Sequence, residues 1–244
     1  VVMTLGSPEF KRFSDSAPPK MQTIIIINKR DVSMKNIAIW GASGGLGAVM
    51  VDYFHQQGIN VIAIARHPKN NPKINDYQLT SICCDATVQT QVEAAVSKLP
   101  DNTINISTMG SFRCNNPVDY IGHRHLINAL ENSKAKRLLL VTSLGCGDSW
   151  QYLSQGAKRG FGAAVREKSL AEAWLQSSNL NYTILRPGGL KDGEPTNQGQ
   201  LSQQIEVHGA ITRGEVARLS HELLLNNGST GQIFQCIDPN ITAY

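Results

Sequence analysis

Gly41, Gly44 and Gly47 are spaced for a tight turn that lets a phosphate approach the backbone. The run Gly41-Ala42-Ser43-Gly44-Gly45-Leu46-Gly47 follows Asn36-Ile37-Ala38-Ile39-Trp40, an apolar run that reads as a buried strand. It precedes Ala48 to Phe54, which reads as a helix. A helix start placed there offers free N–H groups and a positive dipole end to a pyrophosphate. A second strand, Asn60 to Ala65, ends at Arg66, where a dinucleotide-binding fold meets the adenosine ribose. An acidic residue at that point would accept from a ribose 2′-OH. Arginine offers a planar fork that matches a phosphate. With His67 and Lys69 following, the local field is positive, and the reading is NADP(H) rather than NAD(H).

The elements that must position these residues follow from the pattern. Short apolar runs alternate with helical ones, which predicts a parallel sheet with helices on both faces. A third strand spans Leu79 to Cys84 and ends at Asp85; Thr87 is a candidate cap for a helix carrying Val92, Ala95, Val96 and Leu99. A fourth strand spans Ile104 to Met109, stopped by Gly110, with a helix from about Pro117 to Asn132 behind it. Arg137 to Val141 is nearly all apolar, as buried parallel strands are. Helix resumes near Gly162 and runs to Ser177; a sixth strand, Tyr182 to Arg186, ends at Pro187-Gly188-Gly189. Residues 190–211 read as irregular with short strands. Thr212-Arg213-Gly214-Glu215 reads as a capping box, opening a helix to Leu225, and Ile233 to Ile237 is a last strand. The fold class is α/β, a Rossmann-type doubly wound sheet in a single domain over residues 34–244, with a small C-terminal substrate-pocket region.

The chain has 244 residues, 41% hydrophobic and 17% charged, which suits a globular domain. Its net charge of +4 comes without any basic run interleaved with aromatics, so nucleic acid is not expected as a partner. No apolar stretch approaches the roughly twenty residues needed to span a bilayer, so no membrane partner is expected either. Five cysteines match no metal motif or disulfide framework. We therefore expect reduced thiols, no metal, a cytoplasmic location, a small-molecule substrate, and a monomer or homodimer. Gly6-Ser7-Pro8-Glu9-Phe10 resembles a cloning-site remnant, and residues 1–33 read as an expression tag or leader; Met34 or Met21 reads as the native start.

With these marks in order, the chain resembles the atypical short-chain dehydrogenase/reductase superfamily, close to NmrA-like and biliverdin-IXβ/flavin-reductase-like members. The resemblance rests on the glycine turn, Arg66, Cys84-Asp85-Ala86-Thr87, Val141-Thr142-Ser143, Lys168 with Glu172, Leu185-Arg186-Pro187-Gly188-Gly189-Leu190, and Ile211-Thr212-Arg213-Gly214-Glu215-Val216-Ala217. It implies that Asp85-Ala86 lies near the adenine, Met109-Gly110 beneath the adenosine-side ribose, Ser143 beside the nicotinamide, and Pro187-Gly188 around the nicotinamide pocket. Ser143 and Lys168 are then the candidate catalytic residues, Lys168 also as a ribose ligand. Ser143 also reads as a strand-end hydroxyl satisfied by backbone, and Lys168 as an exposed helix lysine.

The resemblance departs at one point. Classical members carry Tyr-x-x-x-Lys, and here Ala164 stands four residues before Lys168. Alanine transfers no proton. The expected function is an NADPH-dependent oxidoreductase passing hydride to a conjugated or carbonyl acceptor. The pocket for that acceptor is expected from residues 110–116, 144–160 and 188–205, and planar acceptors are the class the resemblance implies. A non-enzymatic NADP(H) sensor and an epimerase or isomerase are the alternatives. His123 and His125, two apart on a helix, face different directions and suit surface or packing roles. His55 reads as a helix-end residue. Cys114 and Cys146 sit on loops that can approach the active edge, as reactive thiols or as inert ones. Trp150 and Tyr152 form an aromatic pocket wall or pack a loop.

Overall fold

A computed structural model describes residues 34–111 and 117–242. Its frame is an eight-stranded sheet in the order β3-β2-β1-β4-β5-β6-β10-β8. The strands are β1 (Asn36–Trp40), β2 (Asn60–Ala65), β3 (Thr80–Cys83), β4 (Ile104–Ser107), β5 (Arg137–Val141), β6 (Asn181–Pro187), β8 (Gln200–Ser202) and β10 (Gln232–Ile237). Every pairing is parallel except β10 with β8. A separate pair, β7 (Gly189–Lys191) and β9 (Ala210–Thr212), lies in the irregular stretch and is also parallel. The helices are α1 (Gly45–Gln56), α2 (Pro72–Asp76), α3 (Gln89–Val96), α4 (Ile121–Glu131), α5 (Gln155–Gln176) and α6 (Arg213–Leu225). A 3-10 segment, Gly147–Tyr152, leads into α5.

Alternation along each strand divides the core into two layers. Ile37, Ile39, Val61, Ala63 and Ile106 face α1 and α6, with Met50, Phe54 and Leu223 against them. Ala38, Trp40, Ile62, Ile64, Leu138 and Leu140 face the other way, onto α3, α4 and α5, with Val92, Leu126, Ile127 and Leu175. Side chains that point to opposite faces of one strand must both be apolar when helices cover both faces. The strand order reverses between β1 and β4, and such a switch point opens a crevice at the carboxyl ends of the strands.

Several expectations about local structure are corrected. Helix α5 begins at Gln155, not near Gly162: the Ser154 hydroxyl caps it by accepting from the Ala157 N–H at 3.1 Å. Helix α4 begins at Ile121 rather than Pro117, and β4 stops at Ser107 rather than Met109. Thr87 does not cap α3, because its N–H and hydroxyl both donate to the Asp85 carboxylate. The capping box at 212–215 forms by half. The Glu215 N–H donates to Thr212 Oγ1 at 3.1 Å, but the Glu215 carboxylate accepts from the N–H groups of Asn197 and Gly199 and from Arg218. It therefore ties down the 197–199 loop instead of its own cap.

Candidate functional site: a nucleotide cleft and an apolar pocket

The three glycines of the first turn do different work. Gly41 has φ +91°, and a Cβ there would lie 2.9 Å from Thr108 Oγ1, so this turn and the segment after β4 touch. Gly47 packs closest: a Cβ on it would sit 2.1 Å from the Gly41 carbonyl oxygen. That position is what seats α1 against the end of β1. Gly44 is extended and a Cβ on it would meet nothing within 4 Å. It faces open space, as does Gly45 at φ +51°. Asn71, which sequence reasoning passed over, braces the turn by donating from Nδ2 to the Ala42 carbonyl at 3.0 Å.

That open space is a cleft of about 490 Å³. Its floor and near wall come from Gly41, Ser43, Gly44, Gly45 and Leu46. Arg66 stands exposed at one end, beside Asp85 and Ala86. Met109, Gly110 and Lys168 line it as well. Gly47 is expected to bind cofactor but does not line the cleft; it packs behind the turn.

Two carboxylates are fixed around this cleft. Thr87 gives Asp85 a hydroxyl hydrogen bond of 2.8 Å and a backbone one of 2.9 Å, both to Oδ1. These bonds hold the Asp85 carboxyl below its usual range, with Arg66 adding to the effect. Asp85 therefore stays an acceptor-only group. Asp119, buried, pairs with Lys168 at 2.7 Å and accepts from the Ser111 N–H and hydroxyl at 2.9 and 2.8 Å. Burial opposes its charge, but Lys168 and Ser111 outweigh burial and lower its pKa. Lys168 Nζ also donates to the Met109 carbonyl at 3.2 Å. The lysine is thus a fixed cation over Met109-Gly110 and not an exposed helix lysine. Its partner Asp119 carried no sequence signal.

Ser143, Pro187 and Gly188 lie elsewhere. They line a second cavity of about 970 Å³, mostly apolar, with Leu144, Tyr152, Leu153, Ala157, Phe161, Val207 and His208. The Ser143 hydroxyl donates to the Leu144 carbonyl at 3.0 Å. A Cβ on Gly188 would sit 2.5 Å from the Gly209 carbonyl oxygen, so the 187–189 and 207–209 segments meet there closely. The wall expected from 188–205 is instead made by 187–190 and 207–209. Of the expected 110–116 wall, Gly110 and Ser111 line the first cleft, and residues 112–116, with Cys114, lie outside the described residues. So do residues 1–33, expected as a tag or leader. Thr142 and Leu190 line both cavities.

Tyr152 contributes to the apolar wall, while Trp150 packs over α5, with Lys158 and Arg166 across its ring. Cys146 is buried, and burial pushes its thiol up to about 12, which makes it inert. His123 and His125 are buried packing residues. His123 bonds the Ser107 hydroxyl at 2.8 Å and the Asp119 carbonyl at 2.6 Å, and His125 bonds the Ala86 carbonyl at 3.0 Å. His55, in the last turn of α1, stacks on Tyr77. No group of three or more His, Cys, Asp or Glu among the described residues is placed to hold a metal ion, and no described helix is long and apolar enough to cross a membrane.

A dinucleotide fits the first cleft on two observations: the unfilled space beside Gly44 and Gly45, and the charges of Arg66, Asp85 and Lys168 among its lining residues. The sequence agrees. Residues 41–227 match the NAD(P)H-binding family, and the chain belongs to that family. It is 40% identical in sequence to the anaerobillin reductase ChuY of Escherichia coli O157:H7, whose solved structure superposes with a TM-score of 0.77, covering 86% of this chain and all of that one. An uncharacterized chloroplastic protein of Arabidopsis thaliana, At2g34460, is 27% identical over 233 residues, 84% of this chain and 78% of its own. A short-chain dehydrogenase/reductase of Veillonella parvula, solved in complex with NADP, shares the fold at 18% identity and a TM-score of 0.65, over 86% of this chain and 97% of that one. The resemblance to atypical short-chain dehydrogenases/reductases therefore holds, and the protein is an NAD(P)H-binding protein of oxidoreductase type with a reductase among its relatives.

Proposed function

We propose that this protein is an NADPH-dependent reductase acting on a planar, conjugated small molecule. The observation that carries the reading is the junction at Thr142 and Leu190, where a cleft that fits a dinucleotide meets a larger apolar pocket. The Gly44–Leu46 backbone would hold the pyrophosphate, Arg66 the 2′-phosphate, Asp85 and Ala86 the adenine, and Lys168 a ribose hydroxyl. Pro187 and Gly188 would border the nicotinamide end, with Ser143 beside it. Bound NADPH supplies the hydride. The protein's part is to align the acceptor, keep water from its apolar face and fix the local charge. The NADP complex of the Veillonella protein supports the choice of phosphate-bearing cofactor. Similarity to an anaerobillin reductase supports a tetrapyrrole over a flavin or quinone. We place the reaction in the cytoplasm, carried out by a monomer or homodimer.

Ala164 favours a second reading, a protein that senses NADP(H) without consuming it. The two separate on cofactor turnover. NADPH absorbance is followed with biliverdin, a flavin, a quinone and a simple aldehyde. The reductase reading expects oxidation with at least one planar acceptor and little with the aldehyde. Tight NADPH binding with no turnover on any acceptor would transfer the conclusion to the sensor.

A further inference from the structure

Among the described residues, three cations line the nucleotide cleft: Arg66, Lys168 and Arg213. Lys168 is neutralised by Asp119, whose side chain is 1% exposed. Arg66 lies at the adenosine end. Arg213 has no assigned role. It stands at the first position of α6, just after the Thr212 cap, and forms the cleft wall together with Leu190. Its side chain is 23% exposed, and the ion pair it makes runs from Nη1 to Asp192, whose side chain is 96% exposed. A pair with so solvated a partner is worth little. Its Nε is buried and has no hydrogen-bond partner among the described residues. An unsatisfied donor is costly, and it leaves the guanidinium with hydrogen-bonding capacity that the described residues do not use.

We propose that Arg213 binds an oxyanion where the cleft meets the apolar pocket. Its guanidinium is a planar fork suited to phosphate or carboxylate, and its one ion-pair partner among the described residues is the solvated Asp192 carboxylate. Two sources offer that chemistry: the pyrophosphate of the dinucleotide and a carboxylate on the acceptor. The backbone beneath it is held firmly, since the Gly214 N–H donates to the Gly193 carbonyl at 3.1 Å and the Thr212 hydroxyl to the Glu194 carbonyl at 2.9 Å. The fork is presented from a rigid base. The acceptor half of this inference rests on the reductase reading above; the pyrophosphate half rests only on nucleotide binding.

The test uses Arg213→Gln, Arg213→Lys and Asp192→Ala in the full chain. Calorimetric titration measures NADPH and NADP+ on each protein. A second titration measures biliverdin and its dimethyl ester on the NADP+-saturated protein. Arg213→Gln is expected to lose tenfold or more in one of the two titrations, and Arg213→Lys to retain part of the affinity. A loss on NADPH and NADP+ assigns the pyrophosphate; a loss on biliverdin but not on the ester assigns the acceptor carboxylate. Asp192→Ala is expected to bind as the parent does. Parent-like binding by Arg213→Gln in both titrations overturns the proposal, as does an equal loss in Asp192→Ala. A parent that binds NADPH while Arg213→Gln changes nothing overturns this inference alone. A parent that binds neither NADPH nor biliverdin overturns the reductase reading as well.

Discussion

Arg186 and Glu172 form a two-pronged buried ion pair, Nε to Oε1 at 3.0 Å and Nη2 to Oε2 at 2.6 Å, with side chains 4% and 1% exposed. The pair is a joint between elements. Arg186 comes from the end of strand β6, Glu172 from α5, and the Thr142 hydroxyl just after β5 donates to the same Oε1 at 2.6 Å. The third prong, Nη1 to Asp148 at 2.6 Å, reaches the 3-10 segment that walls the apolar pocket. Removing one partner of a buried pair strands the other charge, at a cost of about 3–5 kcal/mol. Glu172→Gln is therefore expected to lose stability on that scale in urea unfolding. Asp148→Asn, at a residue 68% exposed, should lose less than about 1 kcal/mol. Equal losses in the two variants would place the strength of the joint at the surface.

The two glycines of the turn should separate folding from binding. Gly44→Val adds a side chain to open space at an extended backbone, so stability should stay within about 0.5 kcal/mol of the parent. NADPH affinity should collapse, because the new side chain occupies the space where the pyrophosphate would lie. Gly47→Ala should do the reverse in order of severity. Its Cβ meets the Gly41 carbonyl, and overpacking of this kind costs about 1–3 kcal/mol or more. Thermal unfolding with calorimetric titration of both variants checks the division. A Gly44→Val protein that binds NADPH normally would move the nucleotide elsewhere.

Arg66 should set the cofactor. Arg66→Ala removes a charge-assisted fork, and the expected loss in NADPH affinity is roughly 1.5–3 kcal/mol, about tenfold to a hundredfold. NADH affinity should hardly change. Equal affinities of the unmodified protein for NADPH and NADH would contradict the assignment.

His123 makes the fold acid-sensitive. Burial pushes its pKa down to about 4, and the nearby Lys168 charge helps. The unfolded chain holds this proton from about pH 6.5 downward, while the folded one refuses it until about 4. Stability is therefore complete above the unfolded value and falls as pH drops through that window, by roughly 3 kcal/mol in all. His123→Gln should flatten this part of the urea-unfolding profile between neutral pH and pH 4. An unchanged slope would mean the loss comes from carboxylates such as Asp119 instead.

The nucleotide half of the molecule was legible because it is local. Gly41 to Gly47 lie in one turn, and Arg66 follows one strand later, so spacing alone carries the geometry. The long α5 was cut short for an opposite reason. Gly156, Gly160 and Gly162 look like helix breakers, yet Gly162 is where the Trp150 ring packs onto the helix; a Cβ there would lie 3.1 Å from the ring. A small residue was needed there for contact, and contact is a tertiary fact. Asp119 stayed hidden as the partner of Lys168 for the same reason: forty-nine positions apart, they meet only because α4 and α5 pack side by side. Arg213 belonged to a recognisable motif, but nothing in its neighbours announced a buried donor.

Of the described residues lining the two cavities, Thr142 and Leu190 are the ones in common. The cleft is built at the carboxyl ends of the central strands, where a change disturbs the sheet. The pocket is walled by a 3-10 segment, the start of α5 and two crossing backbone segments, where side chains can be exchanged with less consequence. Thr142 spends its hydroxyl on Glu172, so the shared boundary offers little polarity for an acceptor to read. Selection can thus retune one half of the molecule while leaving the other intact. On the proposed reductase reading, a lineage with this architecture can move from one flat reactant to another by altering loops, and carry the same nucleotide through every step.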